Sequence, residues 1–173
     1  MSGTFRYDRS MILLHWLTAL LIAVAWVGAQ VIDLFPRAAR PPVLSVHLAV
    51  GLAVGLLLLG RAMLRFGGRA VLPPAEPGLL ERAGRATHLL LYALLAALVV
   101  LGLANAWARA DSLFGLVSLS AVPAERGLRR TIGGLHELAA NAILVVAGLH
   151  AAAALFHHYV LRDGVLRRML PQG

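Results

Sequence analysis

The chain contains no cysteine. This absence excludes disulfide bonds, thiolate zinc sites and iron–sulfur clusters, and it excludes covalently attached c-type haem, which needs a Cys-x-x-Cys-His motif. Lysine is also absent, so all 16 basic residues are arginine, and eight acidic residues oppose them. Any bound metal must therefore be held by histidine, carboxylate or methionine side chains.

Charged residues are scarce, at 14% of the 173 residues, whereas 60% are hydrophobic. This composition is typical of an integral membrane protein, because a water-soluble domain of this size cannot bury so much apolar surface. The arginines cluster between long apolar runs and form no basic face, which argues against nucleic-acid binding.

Four apolar runs are long enough to cross a bilayer, at about residues 11–32, 43–60, 87–107 and 131–161. They predict an all-α fold: an integral membrane four-helix bundle forming a single domain over residues 1–173. The first run also has features of a signal peptide, but it exceeds the usual signal core and lacks a small-x-small cleavage site. Ten arginines fall on the side of the two termini and six on the opposite side. The excess predicts that both termini are cytoplasmic.

All seven histidines lie within or at the ends of these runs, and an ionisable residue inside a membrane indicates a functional role. His136 and His150 are 14 residues apart, which places them on nearly the same helix face and about 21 Å apart along the axis. Depth in the membrane pairs His47 with His136 and His15 with His150. The sequence therefore predicts two bis-imidazole sites between helices of the bundle.

Two imidazoles from different helices suit a six-coordinate, noncovalent b-type haem. Zinc is the alternative, but the two pairs are too far apart to share one ion, and apart from Glu137 no carboxylate lies in a span to complete a two-histidine site. His157 is an alternative to His150 as the second inner ligand. Gly51 and Gly55 follow His47 on its own face, where they either admit a porphyrin edge or mediate helix association.

Three further histidines, His88, His157 and His158, lie at the inner helix ends. One interpretation is interfacial snorkelling or contact with haem propionates. The other is a polar site at which a neutral imidazole hydrogen-bonds a quinone carbonyl and passes it a proton.

Three segments resemble the bacterial cytochrome b561 family: R-Y-D-R-S with H-W at 6–10 and 15–16, L-H-E-L-A-A-N at 135–141, and G-L-H-A-A-A-A-L-F-H-H-Y at 148–159. The resemblance extends over essentially the whole chain. It implies a multi-pass protein of the bacterial inner membrane with two b-type haems. The implied axial ligands of the haem iron are His15, His47, His136 and His150.

The implied activity is that of an oxidoreductase, a superoxide:quinone oxidoreductase that moves electrons from periplasmic superoxide through both haems to ubiquinone. The candidate quinone residues are His88, His158 and Trp16. Cationic attraction of superoxide is expected from six arginines of the outer loops: Arg37, Arg40, Arg109, Arg126, Arg129 and Arg130. The family also includes electron-transfer subunits, so the alternative is a noncatalytic cytochrome b subunit that anchors a dehydrogenase or hydrogenase partner. A histidine-lined transporter is disfavoured by the pairing.

Overall fold

The chain forms four long helices connected by short segments. The computed structural model describes residues 6–67, 78–120 and 122–170. The helices are α1 (Arg9–Val31), α2 (Arg40–Phe66), α3 (Leu79–Arg109) and α4 (Arg126–Phe156). All four are long and apolar enough to cross a membrane, which confirms the predicted four-helix membrane fold. We call the end of the bundle that carries both termini the inner end, and the opposite end the outer end.

All four helices begin before the apolar runs from which they were predicted, and α2 and α3 also end after them. Pro41 and Pro42 lie in the first turn of α2, where a missing backbone N–H breaks no helical hydrogen bond. At the start of α1, the Asp8 carboxylate accepts a hydrogen bond from the Ser10 N–H and caps the helix. Polar juxtamembrane turns continue the helices past the bilayer, so a hydropathy pattern marks only their apolar centres.

Each helix packs most closely against its neighbours in sequence: α1 on α2, α2 on α3 and α3 on α4. The buried centre consists of Val54, Leu95 and Ile143 from α2, α3 and α4, with partly buried side chains of α1, α2 and α3 around it. Ile143 lies seven residues from both His136 and His150. A layer of apolar side chains therefore separates the two histidine levels.

A short β-hairpin joins α3 to α4 at the outer end. Its strands, β1 (Ser112–Leu113) and β2 (Val117–Ser118), are antiparallel. A three-residue loop, 114–116, joins the strands. Phe114 and Gly115 have φ of 53° and 72°, and the Leu116 N–H donates to the Leu113 carbonyl at 2.9 Å. The buried Ser45 hydroxyl accepts the Phe114 N–H at 3.0 Å and lies 3.1 Å from the Ser112 carbonyl oxygen. The hairpin is thereby fastened to the start of α2.

The segment after α4 closes the inner end of the bundle. A single π-helical turn, His157–Leu161, follows α4, and Arg162 then takes a left-handed conformation. Further along, the Met169 carbonyl accepts the Trp16 indole N–H at 2.7 Å, and the Arg168 carbonyl accepts the Tyr7 N–H at 3.2 Å. The C-terminal segment is therefore tied to the start of α1.

Candidate functional site

The outer level of the bundle brings His47 of α2 and His136 of α4 together. Their ring centres are 6.2 Å apart, with the ring planes at 80°. His47 Nδ1 lies 3.1 Å from the Ala25 carbonyl oxygen. Because a carbonyl oxygen only accepts, Nδ1 carries the proton and Nε2 keeps its lone pair free for a metal.

Gly102 of α3 makes room for the His136 ring. A Cβ added at this position would lie 3.1 Å from His136 Cε1 and 3.5 Å from Nδ1. Any larger residue would therefore press on the imidazole. The sequence does not single out Gly102, since nothing distinguishes it among 17 glycines.

The inner level brings His15 of α1 and His150 of α4 together. Their ring centres are 6.4 Å apart, with the planes at 68°. Within the described ranges, the buried Nδ1 atoms of His15 and His136 have no hydrogen-bond partner. A buried polar atom without a partner is costly, so each pair contains an imidazole whose bonding is incomplete in the protein alone.

A third imidazole, that of His88 in α3, contacts His150 edge to face, with ring centres 5.2 Å apart. The sequence predicts that His88 lies at the inner end, but it does not predict this contact. Close by in α2, the Arg61 guanidinium lies over the Tyr92 ring, 5.1 Å from its centre. The inner level is therefore more polar than a simple ligand pair.

The spacing of the pairs fits the group that the sequence predicts. Two imidazoles bound to opposite faces of one iron, each through a bond of about 2 Å, have ring centres about 6 Å apart. The His47–His136 and His15–His150 distances match this spacing, whereas that between His88 and His150 is too short. Both matching pairs bridge helices distant in sequence, α2 to α4 and α1 to α4. The part of the chain that the structure describes has no cluster of three or more His, Asp or Glu side chains able to hold a metal ion.

The two glycines after His47 have different surroundings. A Cβ at Gly55 would lie 3.2 Å from Val99 Cγ1, so Gly55 allows close contact between α2 and α3. A Cβ at Gly51 meets no atom within 4 Å. Gly55 thus mediates helix association, and space for a cofactor edge exists only at Gly51.

An open cavity of about 640 Å³ lies at the outer end, one turn beyond His136. Its lining includes four of the six arginines predicted to attract superoxide and two carboxylates: Arg109, Arg126, Arg129, Arg130, Asp111 and Glu137. Arg109 Nε lies 3.4 Å from the Asp111 carboxylate, while the buried Arg129 Nε has no hydrogen-bond partner among the described residues. The cavity retains a positive balance and suits a small anion.

The other two outer arginines lie outside this cavity. Arg40 forms an ion pair with Asp33 at 3.0 Å and a hydrogen bond to the Phe35 carbonyl at 3.3 Å, so it stabilises the connection between α1 and α2. Arg37 is exposed in that same connection. The six arginines therefore do not act as one set.

Two of the three predicted quinone residues lie at the inner level, and the third lies apart. His88 contacts His150 and Trp16 contacts His15, edge to face, with ring centres 5.2 and 5.4 Å apart. The Trp16 indole N–H donates to the Met169 carbonyl, and His158 lines a separate cavity. His157, the alternative to His150, pairs instead with the Asp163 carboxylate.

Four membrane-spanning helices that bring imidazoles from different helices into facing pairs define a membrane cytochrome of the b type. The chain belongs to the prokaryotic cytochrome b561 family, whose sequence profile matches residues 6–172. It is therefore an oxidoreductase-type electron-transfer protein of a haem b family and a multi-pass protein of the bacterial inner membrane.

Three relatives are similar over nearly their whole length. A probable superoxide oxidase, CybB, of Yersinia pestis is 35% identical, covering 96% of this chain and 97% of the relative. Cytochrome b561 homolog 1 of Escherichia coli K12 is 29% identical, with 96% and 98% covered. Cytochrome b562 of Cereibacter sphaeroides is 33% identical, with 95% and 94% covered.

Proposed function

We propose that the chain is a superoxide:quinone oxidoreductase with two b haems, taking electrons from superoxide at the outer end and delivering them to ubiquinone at the inner end. The observation that carries this proposal is the arginine-lined cavity beside the His47–His136 level. The name of the Yersinia pestis relative supports it. Termini on the cytoplasmic side would place this cavity in the periplasm.

The two imidazole pairs would hold the haems, His47 with His136 and His15 with His150. When bound, the haems would supply one-electron transfer. The protein contributes the fixed separation of each ring pair and, at His47, the Ala25 carbonyl that orients the ring. His136→Ala should lower the haem content from two per chain to one, measured from the haem absorbance and the protein concentration. Full retention of both haems would refute the assignment.

At the outer end, the residues attract superoxide and release dioxygen. They do not transfer protons. Superoxide loses one electron and leaves as dioxygen, so no general acid is needed there. A cationic funnel raises the encounter rate of a small anion by roughly ten- to a thousandfold. Arg126, Arg129 and Arg130 supply this charge, since Arg109 is already paired with Asp111.

At the inner end, ubiquinone gains two electrons, one from each of two superoxide anions, and two protons from the cytoplasmic side. Of the three predicted quinone residues, we propose His88. Both His88 and Trp16 contact an imidazole of the inner pair, with ring centres 5.2 and 5.4 Å apart, but the Trp16 indole N–H already donates to the Met169 carbonyl. A neutral imidazole there can donate a hydrogen bond to a quinone carbonyl and pass on a proton.

The test is stopped-flow reduction of the oxidised holoprotein by superoxide at several ionic strengths. A triple variant, Arg126→Gln/Arg129→Gln/Arg130→Gln, should lower the second-order rate constant by roughly tenfold or more and remove most of its dependence on salt. Arg37→Gln is the matched control, since it removes an outer arginine that does not line the cavity. It should leave the rate unchanged.

The same measurement distinguishes the alternative, a noncatalytic cytochrome subunit reduced by a partner dehydrogenase. In that case superoxide would reduce the parent protein no faster than the spontaneous background, while a co-purifying dehydrogenase would reduce it readily. Equal rates in the parent and the triple variant would overturn the role of the cavity.

A further inference from the structure

A second cavity, of about 200 Å³, opens at the inner end immediately after α4. Its lining residues are His158, Tyr159, Arg162, Gly164 and Arg167. The backbone is shaped for it by the π-helical turn and by two residues with positive φ, Arg162 at 54° and Gly164 at 81°. A non-glycine residue in the left-handed region is uncommon and indicates a conformation that the surroundings enforce.

The acidic residue of this segment does not contribute to the cavity lining. Asp163 has a side chain only 9% exposed, and it accepts hydrogen bonds from His157 and from the Val165 N–H. Burial alone would raise the pKa of Asp163, but these hydrogen bonds outweigh it and lower the pKa below its ordinary value. Asp163 is therefore ionised, and its carboxylate is occupied by these two hydrogen bonds.

The cavity lining is consequently cationic. It presents two guanidinium groups, a phenol and an imidazole, and no carboxylate. Across the described ranges, neither Arg162 nor Arg167 forms an ion pair. Two arginines beside hydroxyl and ring N–H donors match the oxygens of a phosphate group.

The cavity also lies at the depth of lipid headgroups, because the fourth membrane-spanning helix ends at Leu161. Large apolar side chains are exposed on the turns that lead to it: Leu155 at 49%, Phe156 at 52% and Val160 at 62%. Such side chains face acyl chains when the helix is in a bilayer. A polar cavity large enough for a phosphate group thus lies next to an exposed apolar surface.

We propose that this cavity binds the phosphate group of an anionic phospholipid, with Arg162 and Arg167 on the phosphate oxygens and the acyl chains along Leu155, Phe156 and Val160. A volume of about 200 Å³ accommodates one headgroup, since a water molecule takes about 30 Å³ of liquid volume. The inference goes beyond the superoxide and quinone chemistry and does not depend on it. It assigns His158 to lipid binding.

The experiment is native mass spectrometry of the holoprotein released from detergent with equal amounts of phosphatidylglycerol and phosphatidylcholine. The parent should retain one phosphatidylglycerol in preference to phosphatidylcholine. Arg162→Asn/Arg167→Gln should reduce that preference by roughly tenfold or more. Asparagine is chosen because it tolerates the left-handed conformation of Arg162. An unchanged haem spectrum shows that the variant is folded. If the double variant does not fold, Arg167→Gln alone is used in its place.

Arg82→Gln is the control, since Arg82 is an exposed arginine at the inner end that does not line the cavity. It should bind lipid like the parent. An equal loss in Arg82→Gln, or an unchanged preference in the cavity variants, would overturn the proposal. Millimolar inorganic phosphate should leave the bound lipid in place; displacement by phosphate with no preference between the two lipids would instead show a free-phosphate site.

Discussion

Replacing Gly102 with alanine adds one methyl group directly against the His136 imidazole. The new Cβ would lie 3.1 Å from His136 Cε1, whereas unstrained carbon atoms stay about 3.5–4.0 Å apart. Either the ring or the α3 backbone must therefore retreat by about 0.4 Å or more. Overpacking of this kind costs about 1–3 kcal/mol, which corresponds to roughly 5- to 150-fold weaker haem binding at this level.

The assay is the ratio of haem to chain in purified protein, together with a redox titration of the haem absorbance. Gly102→Ala should contain fewer than two haems per chain, with the loss confined to one of the two redox transitions. Gly84→Ala is the matched control: it lies on the same helix, and its added Cβ meets no atom within 4 Å. Two haems with unshifted transitions in Gly102→Ala would refute the reasoning that this glycine makes room for a ligand.

Three further changes test the parts of the structure that support the two levels. Ser45→Ala removes the acceptor of the Phe114 N–H and should destabilise the protein by about 1–3 kcal/mol, seen as earlier thermal unfolding and faster proteolysis of the hairpin. Asp163→Asn should reduce stability at neutral pH. Because the pKa of Asp163 is lowered on folding, its stabilisation is present above pH ~4 and lost as pH falls further. The stability of the variant should therefore fall less steeply with decreasing pH than that of the parent. Trp16→Phe removes the hydrogen bond to Met169 and should speed hydrogen exchange in the C-terminal segment.

Each of these has an outcome that contradicts it. Ser120→Ala is the control for Ser45→Ala, since among the described residues the Ser120 hydroxyl bonds only to Val122, within its own turn. Equal destabilisation by both would show a general loop effect. If the stability of the parent and of Asp163→Asn fell equally steeply with decreasing pH, another group would govern stability in acid. Unchanged exchange in Trp16→Phe would show that the segment is held by its other contacts.

The helices and the histidine pairs can be predicted from the sequence because they follow from the length of the apolar runs and the spacing of the histidines along them. Apolar run length determines which segments cross a bilayer. A 14-residue spacing brings His136 and His150 to one helix face. The structure then places His47 and His15 beside them, as depth in the membrane predicts.

Features that depend on long-range contacts or unusual backbone could not be predicted. The hairpin loop is Phe-Gly-Leu, which lacks the Asn-Gly or Asp-Gly signal of tight hairpins. Gly102 becomes important only because His136 packs on it from another helix. The outer arginines have different surroundings because of how the loops fold. Arg40 forms an ion pair with Asp33, while Arg129 lines the cavity.

Helix α4 carries one member of each histidine pair, with Ile143 midway between them. The number of residues from His136 to His150 is therefore a functional quantity in itself. A single residue inserted between them would turn one ring about 100° away from the other, although hydropathy and helix propensity would hardly change. Substitutions along this segment can be tolerated by repacking, but a change in its length would take one of the two histidines out of line with its partner on the neighbouring helix.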